Sequence, residues 1–441
     1  MAQTSGNSYS TTIYKGFACV VDIRAGPYHR KRMPSPLPRL RMNLDFMPSP
    51  LPDRPGLVIR DPFHYSESTL IIPPALAACL ELFDGQRTEL DLRELLVRIT
   101  GEIEVGDLVR HLISTLDGAG FLENETYQRL VEERQAQFAA AAFREAAHAG
   151  TGYPATPEHL RETLDRWMSG EGGESNRSDS LLGIAAPHVS PDGGWQSYRA
   201  AYQALEPSYR DRTFVILGTS HYGPPERFGL TRKCFVTPYG KAVTHVELVD
   251  ELASEAPDSV TMEDYCHSVE HSIEFQVLFL QHVYGPDIRI LPILCGAYAK
   301  SLYEGGRPED DERVKRFLGV LGEIAAREGK GLLWVLGIDM AHMGRRYGDR
   351  FIARAQCGEM EEVARRDHQR LERINAGDAA GFWELVQENH DDLKWCGSSP
   401  VYTFLRAVPQ ARGMLRRYEQ WNIDEESVVS FAGISFHDAS V

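Results

Sequence analysis

Three apolar runs of this 441-residue chain end in side chains that can bind a metal or carry a proton. Residues 181–187 end at His188, residues 213–219 at Ser220-His221, and residues 332–338 at Asp339, with His342 expected one helical turn beyond. A neutral imidazole is both a metal ligand and a proton carrier near neutral pH, and a carboxylate is a hard ligand or an acid–base partner. One histidine after a strand is ordinarily a hydrogen-bonded structural residue. Three such ends in one sheet are different, because open α/β sheets bind ligands beyond the carboxyl ends of their strands, and one edge would gather all three.

A second polar cluster occupies residues 263–276. His267 and His271 are four apart, as are Glu270 and Glu274, so on one helix each pair would share a face. The order is not the His-Glu-x-x-His of zinc peptidases. Two readings stand: a histidine and a carboxylate aimed into the pocket from a helix start, or a first turn whose acids favour the helix dipole.

The seven cysteines include no CxxC pair and are odd in number, which argues against a disulfide framework or a zinc ribbon. Most are expected to be small buried apolar groups. Cys396 stands apart, in Trp395-Cys396-Gly397-Ser398-Ser399-Pro400, before a helix expected from about residue 401 with Ser399 as its N-cap and Pro400 at its first position. A thiol beside a helix N-terminus has a depressed pKa, and the thiolate is the form that binds metal.

The elements that must position these groups follow from hydrophobic patterning. Apolar runs at 181–187, 213–219, 288–296, 332–338 and 428–436 are separated by amphipathic stretches at 194–205, 244–253, 270–284, 312–328 and 350–374. Continuous apolar strands with helical crossovers predict an α/β fold with a mostly parallel central sheet and helices on both faces. Ahead of it, residues 1–56 are proline-rich, carry Met-Pro-Ser-Pro-Leu-Pro twice (from Met33 and from Met47), and are expected to be a disordered leader. Residues 57–128 read as a small winged-helix-like α+β module, residues 129–147 as a linker helix, and residues 148–441 as the main domain. The stretch from Gly170 to Ser180, rich in Gly, Ser and Glu, reads as a loop.

A net charge of −16 disfavours nucleic-acid binding, and the module has plentiful acids and no basic recognition helix. No apolar run is long enough to span a bilayer, and the N-terminus lacks the apolar core of a signal peptide, so no membrane contact and a cytoplasmic location are expected.

The residues also carry a family resemblance. Arg144-Glu145-Ala146-Ala147-His148-Ala149-Gly150-Thr151-Gly152-Tyr153 resembles the N-terminal signature of Memo-like proteins. Ala186-Pro187-His188, Gly218-Thr219-Ser220-His221, Glu270-His271-Ser272-Ile273-Glu274, Asp339-Met340-Ala341-His342 and Cys396-Gly397 then follow in family order, between about Phe143 and Phe436. That family is similar in fold to class III extradiol dioxygenases, which hold non-haem Fe(II) with two histidines and a carboxylate. The resemblance implies a metal site of His188, His221 and Cys396, with Asp339, His342 and the nearby His271 as catalytic groups. Two imidazoles and a sulfur make a softer site than two imidazoles and a carboxylate, suited to Fe(II), copper or zinc, with Fe(II) or copper implied for a redox role. It also implies partners: an AMMECR1-like protein and a radical SAM protein, as in the AmmeMemoRadiSam system, of which this chain would be protein B. Residues 82–96 with 111–122 resemble small PqqD-like peptide-recognition domains, which implies a peptide ligand for the module. A non-catalytic peptide-binding protein on a vestigial dioxygenase fold is the competing reading. The sequence departs from the family at Gly152, where a Trp is usual, and at His188-Val189-Ser190-Pro191, where His-Ala-Gly-Tyr is usual.

Overall fold

The computed structural model describes residues 35–170 and 180–440. The first strands, β1 (Asp45–Pro48), β2 (Leu57–Arg60) and β3 (Thr69–Ile72), form an antiparallel sheet in that order. A 3-10 helix opened by Pro73-Pro74 follows, then α1 (Glu89–Thr100), α2 (Gly106–Gly118) and α3 (Glu125–Ala140). Thr88 caps α1 in a reciprocal box with Asp91, Gly101 ends it in the left-handed conformation, and the Asn124 side chain caps α3. Ile59, Leu92, Leu96, Val109, Leu116 and Phe121 pack as the core of this unit.

The expected leader is corrected over its described part. Residues 35–56 belong to the module: Leu37 and Leu44 are buried, Leu40 bridges Leu122, and β1 pairs with β2. Proline is tolerated there because β1 is an edge strand. Arg41 is buried and gives a two-pronged ion pair to Asp61, at 2.9 and 3.0 Å, which ties this segment to the start of the 61–66 loop. Residues 1–34, the rest of the expected leader, and residues 171–179 of the expected Gly/Ser/Glu loop lie outside the described residues.

The linker helix is also corrected. Helix α3 stops at Ala140, and residues 143–144 form a short strand, β4 (Phe143–Arg144). The physical reason is Arg144: its guanidinium is buried and needs acceptors, which it finds in the carbonyls of His267 and Glu270 and the carboxylate of Glu274. A continuing helix could not deliver it there.

Beyond lie α4 (Pro157–Met168), β5 (Leu181–Ala186), α5 (Pro191–Tyr202), β6 (Thr213–Thr219), β7 (Phe228–Leu230), β8 (Cys234–Thr237), β9 (Gly240–Thr244) and α6 (Val246–Glu255). Next come β10 (Val260–Met262), α7 (Cys266–Val269), α8 (Glu274–Tyr284), β11 (Arg289–Cys295), α9 (Ala299–Glu304), α10 (Glu312–Glu328), β12 (Leu332–Gly337) and β13 (His342–Gly344). The chain closes with α11 (Glu359–Asn375), α12 (Ala379–Gln387), α13 (Ser398–Ala407), β14 (Ala411–Asn422) and β15 (Ser427–Asp438). The large sheet runs β13-β15-β5-β12-β6-β11-β9-β8-β4. Its centre, β5-β12-β6-β11, is parallel throughout. Alternate residues go to opposite layers: Phe214 and Ile216 pack with α4, α5 and α8, whereas Val215 and Leu217 pack with α6, α10 and α13. Burial on both faces is why these strands read as unbroken apolar runs.

Three expected helices differ. Within 270–284 only α8 (Glu274–Tyr284) is helical; the separate α7 ends at Val269, and Glu270 after it has an extended backbone. Within 350–374 only Glu359–Asn375 is helical, preceded by Gln356 and Gly358 at positive φ. Helix α13 starts at Ser398 with Gly397 as N-cap, earlier than the expected Ser399 cap.

Candidate metal centre

The parallel centre of the sheet does the gathering. β5, β12 and β6 are neighbours, so their carboxyl ends place His188, Asp339 and His221 at one edge. His342 does not follow Asp339 on a helix. It starts β13, pinned by its backbone N–H to the Leu393 carbonyl. The break between α7 and α8 delivers His271 to the same place. The rings of His188, His221 and His271 lie 5.0–5.1 Å apart, centre to centre. One nitrogen from each falls within 4.8 Å of the other two.

Second partners orient these rings. His188 Nδ1 donates to the Gly337 carbonyl at 2.9 Å, and His221 Nδ1 donates to Glu270 at 3.0 Å. His271 Nδ1 lies 3.2 Å from the same carboxylate. For His188 and His221 this leaves Nε2 as the unengaged nitrogen, the arrangement that second partners impose on metal-ligating histidines. The Sγ of Cys396 lies 3.1 Å from His188 Nε2 and also contacts His221. Cys396 sits one residue before the N-cap of α13, and its loop is fastened by Trp395, whose Nε1 donates to the buried Asp367 and whose backbone N–H donates to Asp391.

The electrostatics agree with the geometry. Burial alone would raise the Cys396 thiol, but the imidazoles of His188 and His221 outweigh it and bring it down to about 7. Burial would lower His221, yet Glu270 and Cys396 on either side hold it well above the ordinary histidine range. Burial, with cationic neighbours, keeps His271 well below that range. Burial pushes the Asp339 carboxyl up to about 6 and lowers His342. His342 is oriented by backbone: its Nδ1 donates to the carbonyls of Met340 (2.9 Å) and Lys394 (3.1 Å). Asp339 accepts from the backbone N–H groups of His188 and Val189 and acts on His342 through charge.

The sequence cluster at 263–276 divides into two pairs. Glu270 and His271 face the centre, whereas His267 is buried with Nε2 at the Gly229 carbonyl and Glu274 is buried against Arg144, Tyr153 and the backbone of Ala147 and His148. Sequence reasoning missed the anchoring role of Glu270. The available signal was its place directly before His271 at the point where the chain must turn into an apolar helix.

Gly152, where the family usually carries Trp, has a specific neighbour. A Cβ there would lie 3.1 Å from the Phe275 ring, and that ring packs on His148, Tyr153 and His271. Phe275 thus supplies an aromatic ring in the space a side chain at residue 152 would enter.

Beside the centre opens a cleft of about 850 Å³, lined from the module by Arg60, Ser66 and Arg134 and from the main domain by His148, Tyr222 and Tyr265. His148 and Tyr222 stand between the cleft and the three-histidine group, 5.7 Å from His271 and 6.1 Å from His221, ring to ring. The 61–66 loop closes on this wall: Phe63 packs 5.0 Å from Tyr222, Tyr65 stacks 5.0 Å from Tyr265, and the Tyr265 hydroxyl donates to the Phe63 carbonyl.

Comparison with known proteins matches most of this chain to a family. The family model described as Memo-like protein matches residues 144–435, and the chain belongs to that family. A MEMO1 family protein of Aquifex aeolicus is 24% identical over 384 residues, covering 86% of this chain and 96% of the relative. That span exceeds the family match, so the likeness extends into the N-terminal module. A MEMO1 family protein of Thermococcus kodakarensis is 29% identical over 302 residues, covering 66% of this chain and 98% of the relative. A crystal structure of an uncharacterized protein from Escherichia coli K12 is 12% identical with TM-score 0.38, covering 58% of this chain and 99% of that one. Among the described residues, no helix is long and apolar enough to cross a membrane.

Proposed function

We propose that this chain is a metal-dependent oxidoreductase of dioxygenase-like type, in which His188, His221 and Cys396 hold one Fe(II) or copper ion. The observation that carries the reading is the approach of Cys396 Sγ to His188 Nε2 at 3.1 Å, with the other nitrogen of each histidine already engaged. The donor set fits the ion: two imidazole lone pairs and a thiol held near neutral pKa by those imidazoles form a borderline-soft site. When bound, such an ion supplies Lewis acidity and electron exchange.

The chain's own groups supply the rest. His342, fixed through Nδ1 by two carbonyls, keeps Nε2 available to take or give a proton. The raised carboxyl of Asp339 lies beside it and stabilises the imidazolium that results. We include in the proposal, as partners implied by the family resemblance, an AMMECR1-like protein and a radical SAM protein.

Metal analysis after anaerobic purification tests it. One equivalent in the wild type, lost in a His188→Ala/Cys396→Ala variant, is the expected result; a metal-free wild type refutes it. A second reading, a peptide-binding protein without catalysis, is favoured by the cleft between module and main domain. Under that reading peptide capture survives both chelation and loss of Cys396.

A further inference from the structure

We infer that His271 is a third imidazole ligand of the proposed metal, and that Glu270 is the positioning residue that makes it one. The inference rests on the metal-binding reading above and adds to it a donor and the device that aims it.

Glu270 stands against the Nδ1 atoms of both His221 and His271. Its side chain is 1% exposed, and its two oxygens are fully committed. Oε1 faces His221 Nδ1 at 3.0 Å and His271 Nδ1 at 3.2 Å, and accepts from the backbone N–H groups of His271 (2.9 Å) and Ser272 (3.2 Å). Oε2 accepts from the backbone N–H of His221 at 3.0 Å and shares its Nδ1 at 3.1 Å. One carboxylate therefore hydrogen-bonds the His221 ring, stands against the His271 ring, and fixes the backbone of the two segments that carry them. The rings end up stacked, 9° from parallel and 5.0 Å apart, and each brings one nitrogen within 4.8 Å of a nitrogen of His188. Both remain about a quarter exposed, so the group opens to one side.

This explains why the chain breaks a helix at Glu270. A continuous helix from Cys266 to Tyr284 would send His271 away from the sheet edge. The extended backbone at Glu270 turns it in, and the close approach of two strand glycines gives the turn room. A Cβ at Gly218 would lie 2.5 Å from Ser272 Oγ, and one at Gly337 would lie 2.1 Å from the Ser272 carbonyl. The strands that end in His221 and Asp339 thus carry glycine where the His271 segment crosses them. A histidine needed only for packing would not require a buried carboxylate shared with a metal ligand.

Glutamine cannot replace Glu270. Either orientation of its amide sets the NH₂ against an N–H donor: the His221 backbone in one, both imidazoles and two backbone groups in the other. The ring left facing a donor must move its proton to Nε2 and lose its lone pair to the centre.

The test is titration of the metal-free full chain with Co(II), read by d–d absorption and by competition with a chelator, for wild type, Glu270→Gln, His271→Ala and His271→Ala/Glu270→Gln. Expected are a tight four-coordinate spectrum in the wild type, a shift to a weaker spectrum of higher coordination in His271→Ala, and affinity reduced about tenfold to a hundredfold in either single variant. Glu270→Gln should cost less in the His271→Ala background than alone, because part of its action runs through that ring. If wild type binds tightly and His271→Ala matches it in both spectrum and affinity, the inference falls while the metal reading stands. If wild type binds no metal, the reading beneath it falls. Should Glu270→Gln fail to fold, the partly exposed His271→Ala decides alone, its folding confirmed by melting of the metal-free protein.

Discussion

Cys396 Sγ stands 3.1 Å from His188 Nε2, two groups 208 positions apart in sequence and brought together at one sheet edge. The consequence is a reactive thiol. Burial raises Cys295 to about 12 and puts Cys266 higher still, but Cys396 is held near 7. Because only the thiolate attacks, alkylation of the metal-free protein at pH 7 should modify Cys396 first among these three. Peptide mapping by mass spectrometry reads the order, and added metal should protect Cys396.

Gly152 and Phe275 compete for one space. Gly152 has no positive φ, so the constraint is room and not backbone. Gly152→Trp should destabilise by about 1–3 kcal/mol through overpacking. Phe275→Ala in the same chain should recover part of that loss. Thermal melting of the two singles and the double closes the cycle.

Glu274 is buried against Arg144. Burial alone would raise its carboxyl, but Arg144, His148 and the Tyr153 hydroxyl hold it below the ordinary range. A depressed folded pKa gives stability that is fully present above the unfolded value, about 4.3, and lost as pH falls through the folded value. Urea midpoints should therefore fall in acid, and the acid slope should flatten in Glu274→Gln. That variant also strands a buried guanidinium and should lose about 3–5 kcal/mol at neutral pH.

Arg41 and Asp61 form a second buried pair, 1% and 0% exposed. Asp61 also accepts from the backbone N–H groups of Phe63 and Ser66, so it shapes the loop that meets Tyr222 and Tyr265. Asp61→Ala should cost about 3–5 kcal/mol. Loss of the loop's fit should show as an early change in tyrosine fluorescence during denaturation.

The sheet was legible because strands buried on both faces cannot hide polar residues, so their ends stand out where His188, His221 and Asp339 interrupt the apolar run. Helix α10 was legible to its last residue, since a single amphipathic stripe decides it. The break at Glu270 was not: four-residue spacing of His267/His271 and Glu270/Glu274 imitates one helix, and only the long-range demand of His221 for a carboxylate overrides it. Residues 35–56 misled for a related reason. Their prolines describe local stiffness, whereas the pairing of Arg41 with Asp61 is tertiary and leaves no local pattern.

The first residue of the family match, Arg144, hydrogen-bonds the Glu270 carbonyl, while Phe138, just upstream, packs against Tyr265. Cutting the chain at that boundary would strip Tyr222, Tyr265 and Val269 of their aromatic cover within a few ångströms of the histidines. A fragment trimmed to the shared portion would present a sticky, altered doorway, and its ligand preferences would describe the fragment and not the protein.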